Sequence, residues 1–148
     1  MKLIKAPDDF LEKKVNDFDF TKMDAEKISA EMFDIMKKYE GVGLAANQVG
    51  IDAQIFIMGE DKPMSIINPL ITEVSTNQVE MMEGCLSFPG ESFSIRRPAY
   101  IEAIYYNHKG EQITTRLWGL PSIVFQHELD HLNGIVMQDR FKEQNEAD

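Results

Sequence analysis

This sequence of 148 residues predicts an α+β fold, a single small domain of antiparallel strands packed around a metal-bearing helix. Three observations predict it. Apolar residues recur at helical spacing over residues 24–40. Between Gln54 and Leu117, short apolar or alternating runs bounded by turn residues read as strands. Near the C-terminal end, Gln126-His127-Glu128-Leu129-Asp130-His131-Leu132-Asn133-Gly134 carries an H-E-x-x-H pattern on a stretch that reads as helix.

Composition sets the bounds. An apolar content of 43% and a charged content of 27% are those of an ordinary globular protein. With 15 Lys and Arg against 25 Asp and Glu, the formal net charge is −10. That argues against a nucleic-acid-binding surface, which needs clustered basic residues. Cys85 is the only cysteine, so no intramolecular disulfide can form and a reducing compartment is expected. Met1 to Asp8 lacks the apolar run of a secretory signal, and no segment is long enough to span a bilayer. The expected location is the cytosol.

Each element follows in order. Residues 3–20 are expected to start extended, turn at Pro7-Asp8 and form a short helical piece through Leu11 and Val15. Over residues 24–40, Ile28, Met32, Ile35, Met36 and Tyr39 make one apolar stripe, with Glu31, Asp34, Lys37 and Lys38 on the other side. Thr21 or Asp24 caps the start and Gly41 ends it. The small residues of Gly41-Val42-Gly43-Leu44-Ala45-Ala46-Asn47-Gln48-Val49-Gly50 let the backbone approach either a neighbouring strand or a ligand. No strand precedes them, so they are not a dinucleotide fingerprint, and no Gly-Lys-Ser/Thr ending makes them a phosphate loop.

Residues 54–58 and 64–67 are expected strands, the second closed by Asn68-Pro69, with residues 70–74 as a continuation. Residues 99–106 alternate with period two and turn through Asn107-His108-Lys109-Gly110 into residues 111–117. His108 falls in that exposed turn and is given no function. Gly119-Leu120-Pro121 opens the histidine-bearing helix, Ile123, Val124 and Leu132 can bury one side of it, and Gly134 stops it. Ile135-Val136-Met137 is expected as a last short strand and residues 142–148 as a frayed acidic tail. Residues 1–148 thus read as one catalytic domain without repeats or linkers.

The chemistry concentrates in the histidine helix. His127 and His131 are one turn apart, about 40° around the axis and about 6 Å along it, so both imidazoles can grip one transition-metal ion. Glu128 lies beside them, able to reach a water without being a ligand, and the arrangement points to metal-assisted hydrolysis. A surface helix carrying two histidines by chance is the poorer reading, because the chain has only 3.

A hydrolytic site needs a third protein ligand and an open position. One protease pattern ends in a further histidine where this chain has Met137, which is no ordinary zinc ligand. Another takes a glutamate from a separate downstream helix. Too few residues follow His131 for such a helix to pack at a suitable distance, and Glu143 and Glu146 read as solvated. Upstream, Cys85 in Met82-Glu83-Gly84-Cys85-Leu86-Ser87 is the one soft donor. A lone cysteine is commonly a small buried hydrophobe. Its glycine and polar neighbours weaken that reading, and Cys85, His127 and His131 would form a Cys-His-His site with one position open.

Three stretches, in order, resemble peptide deformylase. The family pattern G-x-G-L-A-A-x-Q, then E-G-C-L-S, then Q-H-E-x-D-H-L-x-G is met by Gly41 through Gln48, by Glu83 through Ser87 and by Gln126 through Gly134. Pro7-Asp8 followed by Leu11, and Asn68-Pro69 after a strand, also look like the family, so the likeness covers nearly the whole chain.

The resemblance implies a hydrolase that removes the N-formyl group from the initiator methionine of new polypeptides and releases formate. It implies one divalent metal ion, commonly Fe²⁺, although the same ligands accept Zn²⁺, Ni²⁺ or Co²⁺. By resemblance, Cys85, His127 and His131 hold the metal, Glu128 is general base and acid, and Gln48 with the backbone N–H of Leu86 stabilises the oxyanion. The peptide backbone would pair with Val42 or Gly43 on one side and Gly84 on the other. Leu120, Ile123 and Val124 would line the methionine pocket with part of Glu83 and Met81, plain core being an equal alternative for the apolar ones. Glu83 and Arg97 resemble the family's structural ion pair behind the site.

Many bacterial members continue into a long basic helix associated with the ribosome. This chain stops in Glu143-Gln144-Asn145-Glu146-Ala147-Asp148 and resembles the short forms, such as those encoded by bacteriophages, which puts ribosome contact through such a helix in doubt. The implied partners are formyl-methionyl peptides and nascent chains in a bacterial cytosol, with no nucleic acid and no membrane. Two rival readings stand beside this one. A zinc endopeptidase leaves Cys85, Gln48 and the glycine-rich stretch unexplained. A non-catalytic metal-binding module needs a fourth protein ligand that the sequence does not offer.

Overall fold

The apolar stripe over residues 24–40 folds into α1, Ala25–Lys38, in a computed structural model that describes residues 1–146. Asp24 rather than Thr21 caps it, its carboxylate accepting the Lys27 N–H at 3.1 Å. Met32 and Met36 on its inner face are fully buried. The helix ends one residue earlier than Gly41 suggests, because Glu40 itself takes the left-handed conformation (φ 56°) and the Gly41 N–H closes on the Met36 carbonyl.

Five strands form an antiparallel sheet in the order β1-β2-β3-β6-β7: β1 Gly43–Ala45, β2 Ile55–Met58, β3 Met64–Val74, β6 Tyr100–Tyr106 and β7 Gln112–Trp118. A separate antiparallel pair joins β4, Gln78–Gly84, to β5, Ser92–Pro98. The strand expected to close at Asn68-Pro69 runs on through a bulge, its register shifting between Ile67 and Leu70. Asn68 adopts φ 50°, and its amide accepts the Phe18 N–H at 2.8 Å and donates to the Phe18 carbonyl at 3.0 Å. The Asn-Pro pair therefore bends a strand instead of ending one. The β6–β7 hairpin turns as expected, with Asn107 Oδ1 accepting the Lys109 and Glu111 N–H groups and His108 exposed.

α2, Gly119–Leu132, lies across this sheet, and its Phe125 meets Phe56 of β2 edge to face at 5.1 Å. Inward residues of β6 alternate as Ile101, Ala103 and Tyr105, and they join Leu44, Ile55, Ile57 and Ile67 in one buried cluster with Phe56 and Phe125. Gly134 (φ 77°) stops α2, and a Cβ there would sit 2.5 Å from the Glu12 carbonyl oxygen. The N-terminal segment closes against this end. A 3₁₀ turn spans only Asp9–Glu12, while Val15, expected in a helical piece, is outside it and donates its N–H to the Leu132 carbonyl.

The expected last strand and frayed tail are replaced by a helix. Val136 caps α3, Met137–Asn145, and Asp139 accepts the Val136 N–H at 3.0 Å. Met137 and Phe141, four apart, share a face. Phe141 stacks on Phe93 of β5 with centroids 4.9 Å apart. The Gln144 amide pairs with the backbone of Arg96, accepting its N–H at 2.9 Å and donating to its carbonyl at 2.8 Å. Residues 147–148 of the expected tail lie outside the described residues. Among the described residues, no helix is long and apolar enough to cross a membrane.

Candidate metal centre

α2 turns His127, Glu128 and His131 to the inside, where they retain 8%, 4% and 1% of their exposure. Cys85, the residue after β4, comes up against them, its Sγ 3.3 Å from His131 Nε2. One donor atom from each of Cys85, His127 and His131 lies within 4.8 Å of the other two. A thiolate and two imidazoles at that spacing suit a first-row transition ion, and this trio leaves a coordination position open. Among the described residues it is the one group of acidic, histidine and cysteine side chains with ligand spacing.

Behind the ligands runs a chain of buried charge. His127 Nδ1 pairs with Glu83 Oε1 at 2.8 Å, which sets the ring and leaves Nε2 for an ion. Arg97 donates to both oxygens of Glu83, at 2.7 and 3.0 Å, and to Asp130 Oδ2 at 2.8 Å. Asp130 also accepts two bonds from Arg140 of α3, at 3.0 and 2.8 Å. Burial alone would raise the Glu83 carboxyl, but its bonds to His127 and Arg97 outweigh that and hold it below the usual 4.5.

Glu128 goes the other way. Burial pushes its carboxyl up to about 7 against the pull of His127 and Arg97. Burial also works on His127, but Glu128, Cys85 and Glu83 together carry it up to about 10, whereas burial and the charges of His127 and Arg97 hold His131 well below 6.5. A cation on the three donors would reverse the shift at His127, because ligation requires the neutral ring. Glu128 Oε1 and His131 Nδ1 are buried without a hydrogen-bond partner. A Cβ on Gly43 would collide with the Glu128 carboxylate, so the second glycine of the glycine-rich stretch makes room for that side chain.

Gln48, in the 3₁₀ turn Ala46–Val49, completes the cluster. The Ala45 N–H donates to its Oε1 at 2.9 Å, which turns Nε2 toward Cys85 Sγ at 3.4 Å and Ser87 Oγ at 3.1 Å. Ser87 is fully buried and donates to the Ile4 carbonyl at 2.7 Å.

A cavity of about 380 Å³ opens over these groups, lined by Val42, Gly43, Gln48, Gly84, Cys85, Leu86, His127 and Glu128 among others. Leu120, Ile123 and Val124 are not among its lining residues. Val124 packs into the core, Ile123 is buried one turn before His127, and Leu120 is 55% exposed at the start of α2. Glu143, weighed as a distant ligand, instead faces Arg140 at 3.7 Å. Sequence reasoning assigns no role to Ser87, Asp130 or Arg140. The first two lie inside the motifs it quotes, and Arg140 carries no such signal.

A family model described as polypeptide deformylase matches residues 1–147. The peptide deformylase of Aquifex aeolicus is 40% identical over 147 residues, spanning 95% of this chain and 86% of that protein. A probable peptide deformylase from Synechococcus phage S-SSM7 has a similar structure, with a TM-score of 0.91 at 34% identity over 95% of this chain and 99% of that one. The peptide deformylase of Synechococcus elongatus, solved in complex with actinonin, gives 0.90 at 31% identity over 95% and 78%.

Proposed function

This chain belongs to the peptide deformylase family of metal-dependent hydrolases, and we propose that it removes the N-formyl group from formyl-methionine at the start of new polypeptides. One observation carries the assignment of roles: the donor atoms of Cys85, His127 and His131 cluster within 4.8 Å beside the buried, unpartnered Glu128 Oε1. The residues fit a divalent ion, and we assign Fe²⁺ as the native one. Held there, the ion supplies Lewis acidity, which makes water acidic enough to ionise near neutrality and draws charge from a carbonyl.

The chain's own groups do the rest. Glu128, whose burial favours holding a proton, takes one from water as oxygen attacks the formyl carbon. It then hands that proton to the amine nitrogen, since an amide anion is too poor a leaving group to depart unprotonated. Gln48 Nε2 and the backbone N–H of Leu86 donate to the developing oxyanion, and the Ala45 bond that sets the Gln48 amide prepares that donor in advance. Val42, Gly43 and Gly84, all lining the cavity, hold the peptide backbone as an added strand. Leu120, Ile123 and Val124 recur at helical spacing one and two turns before the histidines and contact the methionine side chain.

In this reading, residues 1–148 carry the catalytic domain, which works in a bacterial cytosol with formylated nascent chains as the macromolecular partner. Anaerobic purification with metal analysis, paired with a formate-release assay on formyl-Met peptides, tests it. Glu128→Ala is expected to keep the ion and lose turnover. Cleavage of internal peptide bonds with formyl-Met peptides left intact would refute it in favour of an endopeptidase.

A further inference from the structure

The two oxyanion donors reach the site from different sheets. Gln48 sits in the 3₁₀ turn that follows β1, Leu86 lies just beyond the end of β4, and β1 and β4 belong to separate sheets. Residues 4–6 and one buried hydroxyl join the two. The Ile4 N–H donates to the Gln48 carbonyl at 2.7 Å, and the Ala6 N–H donates to the Ser87 carbonyl at 2.9 Å. Between these bonds, Ser87 Oγ donates to the Ile4 carbonyl at 2.7 Å, across 83 residues of sequence. The same Oγ accepts Gln48 Nε2 at 3.1 Å. Both side chains are buried, and Ser87 is not among the residues lining the cavity over Glu128.

A serine hydroxyl has one proton to give, and a side-chain amide has an acceptor at one end and two donors at the other. With its proton committed to Ile4, Ser87 Oγ can only accept from Gln48. The opposite end of the amide, Oε1, already accepts the Ala45 N–H. Turning the amide over would set Oε1 against an oxygen with no proton left and the amide NH₂ against the Ala45 N–H. Both losses would fall in a buried place where unmade hydrogen bonds are costly. One N–H of Gln48 is thus spent on Ser87, and the second faces Cys85 Sγ at 3.4 Å, on the side where the ligand atoms converge. We infer that Ser87, held by the Ile4 carbonyl, is a positioning residue for the oxyanion hole. It fixes which end of the Gln48 amide faces the formyl group, and it ties that donor to the Leu86 N–H one residue before it. The inference rests on the deformylase reading of the same site. Because Ser87 acts through a donor that strengthens as charge develops, its loss falls on kcat and leaves KM nearly unchanged. Ser87→Ala is expected to lower kcat roughly tenfold, short of the roughly hundredfold cost of removing the Gln48 donor outright.

The test compares wild type, Ser87→Ala, Gln48→Ala and the double variant as metal-loaded full chains, by formate release from a formyl-Met peptide. Ser87→Ala is expected to lower kcat in the wild-type background and to cost nothing further where Gln48 is already Ala, with metal content unchanged throughout. Nitrogen relaxation of the ¹⁵N-labelled, Zn²⁺-loaded chain gives a readout independent of turnover. The Gln48 side-chain NH₂ is expected to be as rigid as the backbone in the wild type and to move on the ps–ns timescale in Ser87→Ala. A Gln48 amide already mobile in the wild type would overturn the inference, and that measurement needs no variant to fold. An equal loss of kcat from Ser87→Ala in both backgrounds would also overturn it, since a merely structural serine would give that result. No turnover of formyl-Met peptides by the wild type would instead overturn the deformylase reading, and this inference with it, whereas turnover with a mobile amide overturns this inference alone.

Discussion

Arg97 is where the buried charges behind the metal centre meet, and replacing it with methionine tests what they do. The side chain is 5% exposed and makes three charged hydrogen bonds, two to Glu83 and one to Asp130. Met keeps the stem and removes the charge. Glu83 then retains only His127 as partner, on Oε1, and its Oε2 loses its bond to Arg97, while Asp130 keeps both bonds to Arg140. Removing one partner of a buried pair costs roughly 3–5 kcal/mol, and the surviving bonds place Arg97→Met near about 3 kcal/mol. The effect reaches the metal, because Glu83 orients His127. Loss of such an outer partner typically weakens metal binding about 10–100-fold.

Urea unfolding and chelator competition read the two effects separately. The folded-state pKa of Glu83 is depressed, so the stability it contributes is present above its ordinary 4.5 and lost as pH falls through the lower folded value. The gap between wild type and variant should therefore narrow on acidification. Arg97→Lys keeps the charge but not the two-pronged fork, and an intermediate loss is expected. Unfolding midpoints that coincide at neutral pH, with equal affinity for the ion, would refute the argument.

Other residues give sharper single readouts. Glu128→Gln is expected to lower turnover by about 10²–10⁴ with metal content unchanged, measured by formate release and elemental analysis. In the metal-free chain the same change should stabilise the fold at pH 8 but hardly at pH 4. Holding the carboxyl at about 7 instead of 4.5 costs on the order of 3 kcal/mol once pH exceeds both values, and nothing below them. Urea titrations at the two pH values check the sign. Gln48→Ala should lower kcat roughly a hundredfold through the lost oxyanion donor, with the ion retained. Cys85→Ser should weaken or change the bound ion, because an oxygen donor replaces a soft thiolate, and anaerobic chelator competition would detect it.

How far the fold is legible in the sequence depends on how strong each local pattern is. α1 is legible because five apolar residues keep helical spacing across about three turns and Asp24 stands ready to cap them. The β6–β7 hairpin is legible because its turn chemistry is local to Asn107 and Gly110. α3 is not, since its only large apolar residues are Met137 and Phe141, and the rest of its stability comes from partners on other elements, Phe93, Asp130 and the Arg96 backbone. The bulge at Asn68 is hidden for the same reason. What bends the strand is a pair of bonds to Phe18, 50 residues upstream.

The site is more legible than the fold, and two periodicities explain why. Along a strand, alternate residues share a face, so Glu83 and Cys85 point the same way while exposed Gly84 between them points out. Along a helix, residues four apart share a face, so His127 and His131 do too. Laying one against the other brings Glu83 to His127 at 2.8 Å and Cys85 to His131 at 3.3 Å, two contacts across sequence gaps of 44 and 46 residues. The E-x-C and H-x-x-x-H spacings are therefore complementary halves of one register. A shift of β4 by one residue would bury Gly84 against the helix and turn both Glu83 and Cys85 away. Arg97, directly across β4–β5 from Val79 in the ladder, reaches over to the Glu83 carboxylate and to Asp130 on α2, and so ties the strand pair to the helix. The buried ion pairs thus hold the one alignment in which the thiol and the two imidazoles converge.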